Sequence, residues 1–253
     1  MHLIKVFLRL TIYSFILFSF LSCGNDNETP ISGNFRFIQL SPDSPSLDVL
    51  VDNESLTSDF EFLENTGFTE GPNEGFNLKL TPSDSENQIA ANFLNLNLPE
   101  IDAPKTYIST GYYRATPPNT LIAIETDQTP ADANEVELKW IHASPGLARV
   151  TLDIYLVPAN NNCTQGLGDE FPIVTDLLYA ADDSDYRSID SGVYDICVVP
   201  ASNNYDALII NDYEFSSRMR LTLVVFENSS SGPLGLYVLD DVTGKEEILN
   251  PQL

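Results

Sequence analysis

The 253-residue chain is short of the side chains that carry most protein chemistry. It has two histidines, three cysteines, two methionines and one tryptophan, and 12 lysines and arginines stand against 37 aspartates and glutamates. His2 lies in the first apolar segment, so His142 is the single imidazole of the body of the chain. That removes most general-base and histidine-ligated metal chemistry. The shortage of cations excludes nucleic acid, because a net charge of −25 repels a phosphate backbone. Direct adsorption to anionic lipid is opposed for the same reason. There is no Gly-x-Ser-x-Gly elbow, no Ser-x-x-Lys and no Cys-x-x-Cys. After residue 30 no stretch keeps apolar residues at i, i+3, i+4, i+7 for three turns; the best helical candidate is Glu86 to Leu98, rich in Asn. With 43% hydrophobic residues the chain nevertheless builds a core.

The N-terminus gives an address. Lys5 and Arg9 precede a mostly apolar run from Leu10 to Leu21, too short to span a bilayer but of signal-peptide length. The run ends in Phe20-Leu21-Ser22-Cys23-Gly24, which resembles a bacterial lipobox with Phe20 where Leu is commoner. That resemblance implies cleavage after residue 22 and lipidation of Cys23; an ordinary signal peptide and a retained anchor are the alternatives. It also implies an outer-membrane lipoprotein, on the periplasmic face or the cell surface, since Asp does not follow Cys23. Lipidation leaves Cys163 and Cys197 as an even pair in an oxidising compartment, expected to form a disulfide rather than two free thiols. Residues 23–34 are polar and aperiodic, hence a tether.

Beyond the tether, short β-rich runs alternate with Pro, Gly, Asn, Asp and Ser clusters. Phe35–Leu40, Leu47–Val51, Phe76–Leu80, Thr106–Thr110, Val136–Ile141, Thr151–Leu156, Val193–Val198, Arg220–Phe226 and Leu236–Leu239 all read as strands. This spacing predicts an all-β chain of antiparallel sandwiches, not alternating βα units.

The chain also repeats itself. Phe35-Arg-Phe-Ile-Gln-Leu-Ser-Pro42 aligns with Leu138-Lys-Trp-Ile-His-Ala-Ser-Pro145, Leu47-Asp48-Val49 with Leu152-Asp153-Ile154, and Phe76–Pro82 with Tyr194–Pro200. A spacing above 100 residues indicates a duplicated domain rather than a solenoid. The expected division is a leader over 1–22, the tether over 23–34, a first domain over 35–130 and a second over 135–253, with the polar Asp127–Glu135 as seam. In each copy Ser-Pro stops a strand, because proline fixes φ and removes an N–H donor.

On these residues the chain resembles a bacterial exported family, domain of unknown function 4397. The first copy contributes Phe37-Ile-Gln-Leu-Ser-Pro-Asp-Ser-Pro45 and Leu47–Val51, with Gln39 where the family has His. The second contributes Trp140-Ile-His-Ala-Ser-Pro145, Leu152–Tyr155, Gly192-Val-Tyr194 and Leu236–Asp241, with Gly146-Leu-Ala-Arg149 where Asp-Ala-Pro is usual. The resemblance implies two tandem immunoglobulin-like sandwiches and an envelope protein of binding or adhesion type.

The remaining motifs favour structure over catalysis. Gln39 stands where His142 does, so a hydrogen-bonding role beside the Ser-Pro turn is expected of both. Asp190-Ser191-Gly192 lacks the second loop an aspartic protease needs. Asp182-Asp183-Ser184-Asp185 lacks the spacing of an EF-hand and reads as a solvated turn. Tyr112, Tyr113 and Arg114 are the candidate contact residues, since Tyr and Arg anchor interfaces. The expectation is a non-enzymatic envelope lipoprotein with no cofactor and no metal, held to the membrane by its lipid and binding a protein or glycan. A periplasm-facing scaffold of an envelope complex is the alternative.

Overall fold

The computed structural model describes residues 35–250 apart from 73, 84–94, 100, 114–119, 160–162, 164–170, 182–184, 202–206 and 230–231. The described chain is almost entirely β. Its strands are β1 (Phe35–Gln39), β2 (Leu47–Val51), β3 (Glu54–Phe60), β4 (Phe76–Pro82), β5 (Asn95–Leu98), β6 (Lys105–Thr110), β7 (Thr120–Glu125), β8 (Glu135–His142), β9 (Leu152–Pro158), β10 (Val174–Leu177), β11 (Arg187–Asp190), β12 (Gly192–Pro200), β13 (Leu208–Phe215), β14 (Arg220–Glu227), β15 (Leu234–Asp240) and β16 (Glu246–Leu249). The stretch read as the best helix ends in strand β5; its residues 86–94 lie outside the described set.

Four sheets form, ordered β3-β2-β4-β5, β1-β6-β7, β11-β8-β14-β15-β16 and β10-β9-β12-β13. The first two pack as one sandwich around Phe35, Phe37, Val49, Phe76, Leu78 and Tyr107. The last two pack as another around Leu138, Trp140, Ile154, Ile196, Leu223 and Leu236. The strand order recurs: β3-β2-β4-β5 with β1-β6-β7 is matched by β10-β9-β12-β13 with β8-β14-β15. Pairing is antiparallel throughout except β1 with β6 and β8 with β14, which run parallel. Parallel neighbours need a long crossover, and here the whole opposite sheet supplies it. The segment beside β1 also copies β11, with backbone bonds from Phe35 to Thr69 and from Thr66 to Phe37.

The two sandwiches are not separate beads. The β1-β6-β7 sheet and the β8-β14-β15 sheet meet back to back through a third core of Ile38, Leu40, Ile108, Ile124, Ile141, Val224, Phe226, Tyr237 and Leu239. Both inner sheets are therefore covered on both faces. Their strands accordingly read as near-continuous apolar runs, as in Arg220-Leu-Thr-Leu-Val-Val-Phe226, while β4 in an outer sheet alternates buried and half-buried. Local chemistry fits each turn. Asp52 and Asn53 join β2 to β3 with φ of 50° and 67°, a two-residue turn needing left-handed backbone, which Asn and Asp tolerate.

Candidate functional site

The two Ser-Pro turns are built alike. Gln39 Oε1 accepts from the Ser41 backbone N–H at 3.1 Å, and His142 Nδ1 accepts from the Ser144 backbone N–H at 3.3 Å. With Nδ1 accepting, the ring's Nε2–H donates to the Leu147 carbonyl at 3.3 Å. His142 is fully buried and meets Tyr179 edge-on at 5.6 Å. Burial draws its pKa down to about 4, against smaller upward pulls from the Leu147 and Val150 carbonyls. The ring is a neutral hydrogen-bonding block. Gly146, in the turn that departs from the usual Asp-Ala-Pro, makes room for Glu227: a Cβ there collides with that carboxylate.

The repeated Leu-Asp-Val/Ile motif is also tied down. Asp48 Oδ1 accepts from the Asp59 backbone N–H at 3.3 Å, and Asp153 Oδ1 from the Asp176 N–H at 2.9 Å. Asp59 and Asp176 have φ of 53° and 54°, and the β2–β3 and β9–β10 registers shift there. Each motif aspartate thus satisfies the amide freed by a β-bulge in the neighbouring edge strand.

A second polar group lies between the inner sheets. Arg36 pairs with Asp241, both almost fully buried, and its Nε donates to Thr106 at 2.8 Å. Asp241 also accepts from Thr222 at 2.6 Å and Tyr186 at 2.9 Å. Burial raises the Asp241 pKa, and Arg36, Thr222 and Tyr186 pull against it. Lys139, the counterpart of Arg36 in the sequence repeat, donates to the Glu125 carbonyl at 2.8 Å and lies over the Tyr186 ring, as Arg36 lies over Phe68. Arg220, paired with Asp127 and Glu137, also lies over the Tyr186 ring. The arrangement crosses the seam in both directions, and among the described residues the buried Arg36 Nη1 has no hydrogen-bond partner.

The sequence candidates fall as follows. Cys163 and Cys197 form a disulfide with Cα atoms 6.1 Å apart. They pack with Val157, Tyr155 and Ile209 on the outer face of the β9-β12 pair. Tyr112 is half-buried and its hydroxyl donates to Glu227 at 2.6 Å; burial and that carboxylate raise its pKa. Tyr113 is half-buried too, and its backbone N–H donates to Asp43 at 2.6 Å. Arg114, Cys23 and Asp182-Asp183-Ser184 lie outside the described residues. Asp190 ends β11 and Gly192 opens β12, with Tyr194 donating back to the Asp190 carbonyl at 3.1 Å. Among the described residues no three of His, Cys, Asp and Glu converge as a metal site, and no helix is long and apolar enough to cross a membrane.

Two open clefts lie along β16, which sequence pattern did not reveal. One cleft, of about 540 Å³, runs between β3, the segment 63–69 and Glu246, with Leu56, Phe60, Asn65 and Thr66 on its walls. A second, of about 440 Å³, runs between β13 and β16, lined by Asp212, Tyr213, Glu214, Met219, Glu247 and Leu249 among others. Glu246 bonds Asn65 and the Tyr237 hydroxyl in the first. Glu247 accepts from the Tyr213 hydroxyl at 3.4 Å in the second.

Residues 33–155 match the family model described as Domain of unknown function (DUF4397). The DUF4397 match runs from the start of β1 through the first sandwich. It ends at Tyr155, inside β9, after the second Ser-Pro turn and the second Leu-Asp-Ile. No curated protein matches the chain. Among solved structures it is similar to a chain titled as CBMbc (family CBM26) from Eubacterium rectale Amy13K in complex with maltoheptaose, at 12% identity and a TM-score of 0.22, over 87% of this chain and 97% of that one.

Proposed function

We propose that this protein is a non-enzymatic, envelope-anchored lipoprotein whose tandem DUF4397-type sandwiches, residues 35–130 and 135–253, act as a binding module for a protein or glycan. The anchor rests on the charged and apolar leader ending at Cys23, with residues 24–34 as spacer. The tandem reading is supported by the recurrence of strand order, of the Gln39 and His142 turn contacts and of the Asp48 and Asp153 bulge contacts. The observation that carries the binding reading is a contrast. The repeated polar residues Gln39, His142, Asp48 and Asp153 are all engaged within the fold, while two polar clefts beside β16 stay open to solvent. A scaffold role would be favoured by a broad apolar face left over between the sandwiches, but those faces cover one another. The outer membrane is the proposed site of residence.

Two experiments test this. Metabolic labelling with a palmitate analogue is expected to mark the wild-type chain and not Cys23→Ala; equal labelling of both rejects the anchor. Protease shaving of intact cells is expected to remove the protein while sparing a periplasmic control. The chain from Gly24 to Leu253 is then presented to glycan arrays and surface-protein extracts. Protection until the outer membrane is broken, with no capture from either source, rejects the binding module and leaves the scaffold.

A further inference from the structure

Among the described residues, strand β16 has no counterpart in the first sandwich. There β7 ends its sheet, whereas β15, its equivalent, is followed by one more strand. Three of the four β16 residues are exposed, Ile248 at 37%, and no described strand pairs with its outer edge. Its side chains alternate, as strand geometry requires. Glu246 points to the seam, where it bonds Tyr237 and Asn65; Glu247 points the opposite way, to Tyr213. A free backbone edge thus stands between two clefts, one on each face.

A strand added to that edge gains backbone hydrogen bonds and drops successive side chains into alternate clefts. The clefts specify their charge. Glu64 and Glu246 lie in one and Asp212, Glu214 and Glu247 in the other, with no lysine or arginine lining either. A second copy of a chain carrying a net charge of −25 is repelled, and so is this chain's own Gly24–Gly33 segment, with its Asp26 and Glu28. Acidic residues on an edge strand block pairing between like chains, but they leave the edge open to a chain of opposite charge. We propose that β16 is a strand-addition site for an extended, basic segment of a partner protein, with two successive Lys or Arg side chains seated one beside Glu246 and the next beside Glu247. This rests on the binding-module reading and names its site and partner class.

The test uses the chain from Gly24 to Leu253 and a fluorescein-labelled peptide of valine and threonine with a central Lys-Lys pair, whose two side chains fall on opposite faces of a strand. Saturable binding by anisotropy is expected, together with about tenfold slower amide exchange over Glu246–Leu249. The same peptide N-methylated at alternate residues keeps its charge but loses its backbone donors, and is expected to bind about tenfold more weakly. The charge reversals Glu214→Lys and Glu247→Lys together, in a variant shown to melt normally, are expected to weaken the unmodified peptide by at least about tenfold. Equal binding of the two peptides, unchanged exchange over β16, or no binding overturns the proposal. If the peptide fails while array or extract capture succeeds and survives the charge reversals, the binding module stands and the β16 site falls. Failure of both removes both.

Discussion

At residue scale, His142 keeps the geometry of the second Ser-Pro turn while remaining uncharged. Its folded pKa lies at about 4, below the ordinary 6.5, because burial disfavours the imidazolium. The unfolded chain therefore takes up the proton first as pH falls. The contribution is fully present above about pH 6.5 and is lost progressively down to about pH 4, by roughly 3 kcal/mol in all. Gln39 does the same job without titrating. We expect His142→Gln to fold, and the wild-type-minus-variant stability difference from urea melts to shrink by that order between pH 7 and pH 4.5; a pH-independent difference would refute it. The Arg36–Asp241 pair makes a second case. Removing one partner of a buried pair leaves a bare charge, so Asp241→Asn is expected to cost about 3–5 kcal/mol. Replacing both, as Arg36→Met with Asp241→Leu, is expected to recover much of that loss in the same melts. Additive losses would show that the pair is not coupled across the seam.

At the scale of the element, eight of the nine strands legible in the sequence lie within sheets; the ninth, β1, ends its sheet but is bridged to Asn65 and Thr69 and is buried throughout. The seven that went unread, β3, β5, β7, β10, β11, β13 and β16, all lie at a sheet edge. Edge strands bury less, so their alternation is weak, and three of them are broken by left-handed residues, Asp59, Asp176 and Asp212. The clefts beside β16 were illegible for the same reason, since a four-residue strand reading Glu-Glu-Ile-Leu has no pattern to recognise. The cysteine pairing was legible from parity alone. Cys163 and Cys197 close a loop of separation 34 in the second sandwich, while the first has Lys79 where the second has Cys197 in the repeat. The chain-entropy model gives such a loop about 4 kcal/mol of stabilisation. Cys163→Ala with Cys197→Ala is expected to lower urea-melt stability by that order, and an unchanged melt would exclude a cross-link in the folded protein.

At the scale of the whole molecule, the back-to-back inner sheets make one continuous unit of four layers. Eleven buried side chains drawn from both sandwiches form the central core, and Arg36, Lys139, Tyr186 and Asp241 cross it. Neither sandwich can unfold without exposing the other's inner face. Calorimetry of the chain from Gly24 to Leu253 is therefore expected to show one cooperative transition, lowered as a whole by Val224→Asp. Two transitions, with only one of them moved by that substitution, would mean that the sandwiches unfold independently.

The amino-acid sequence by itself determined the all-β character, the internal repeat of the Ser-Pro and Leu-Asp signatures, and the cysteine pair. These follow from local chemistry: periodicity, turn residues and parity. Only the tertiary structure decided that the apolar runs of β1, β6, β8, β14 and β15 cover two faces rather than one, that Arg36 finds Asp241 across 205 residues, and that two acidic clefts flank β16. The physical reason is that burial on the second face, ion pairing across the seam and the gap between two sheet edges depend on which surfaces meet, and strand periodicity marks a buried face without naming what covers it.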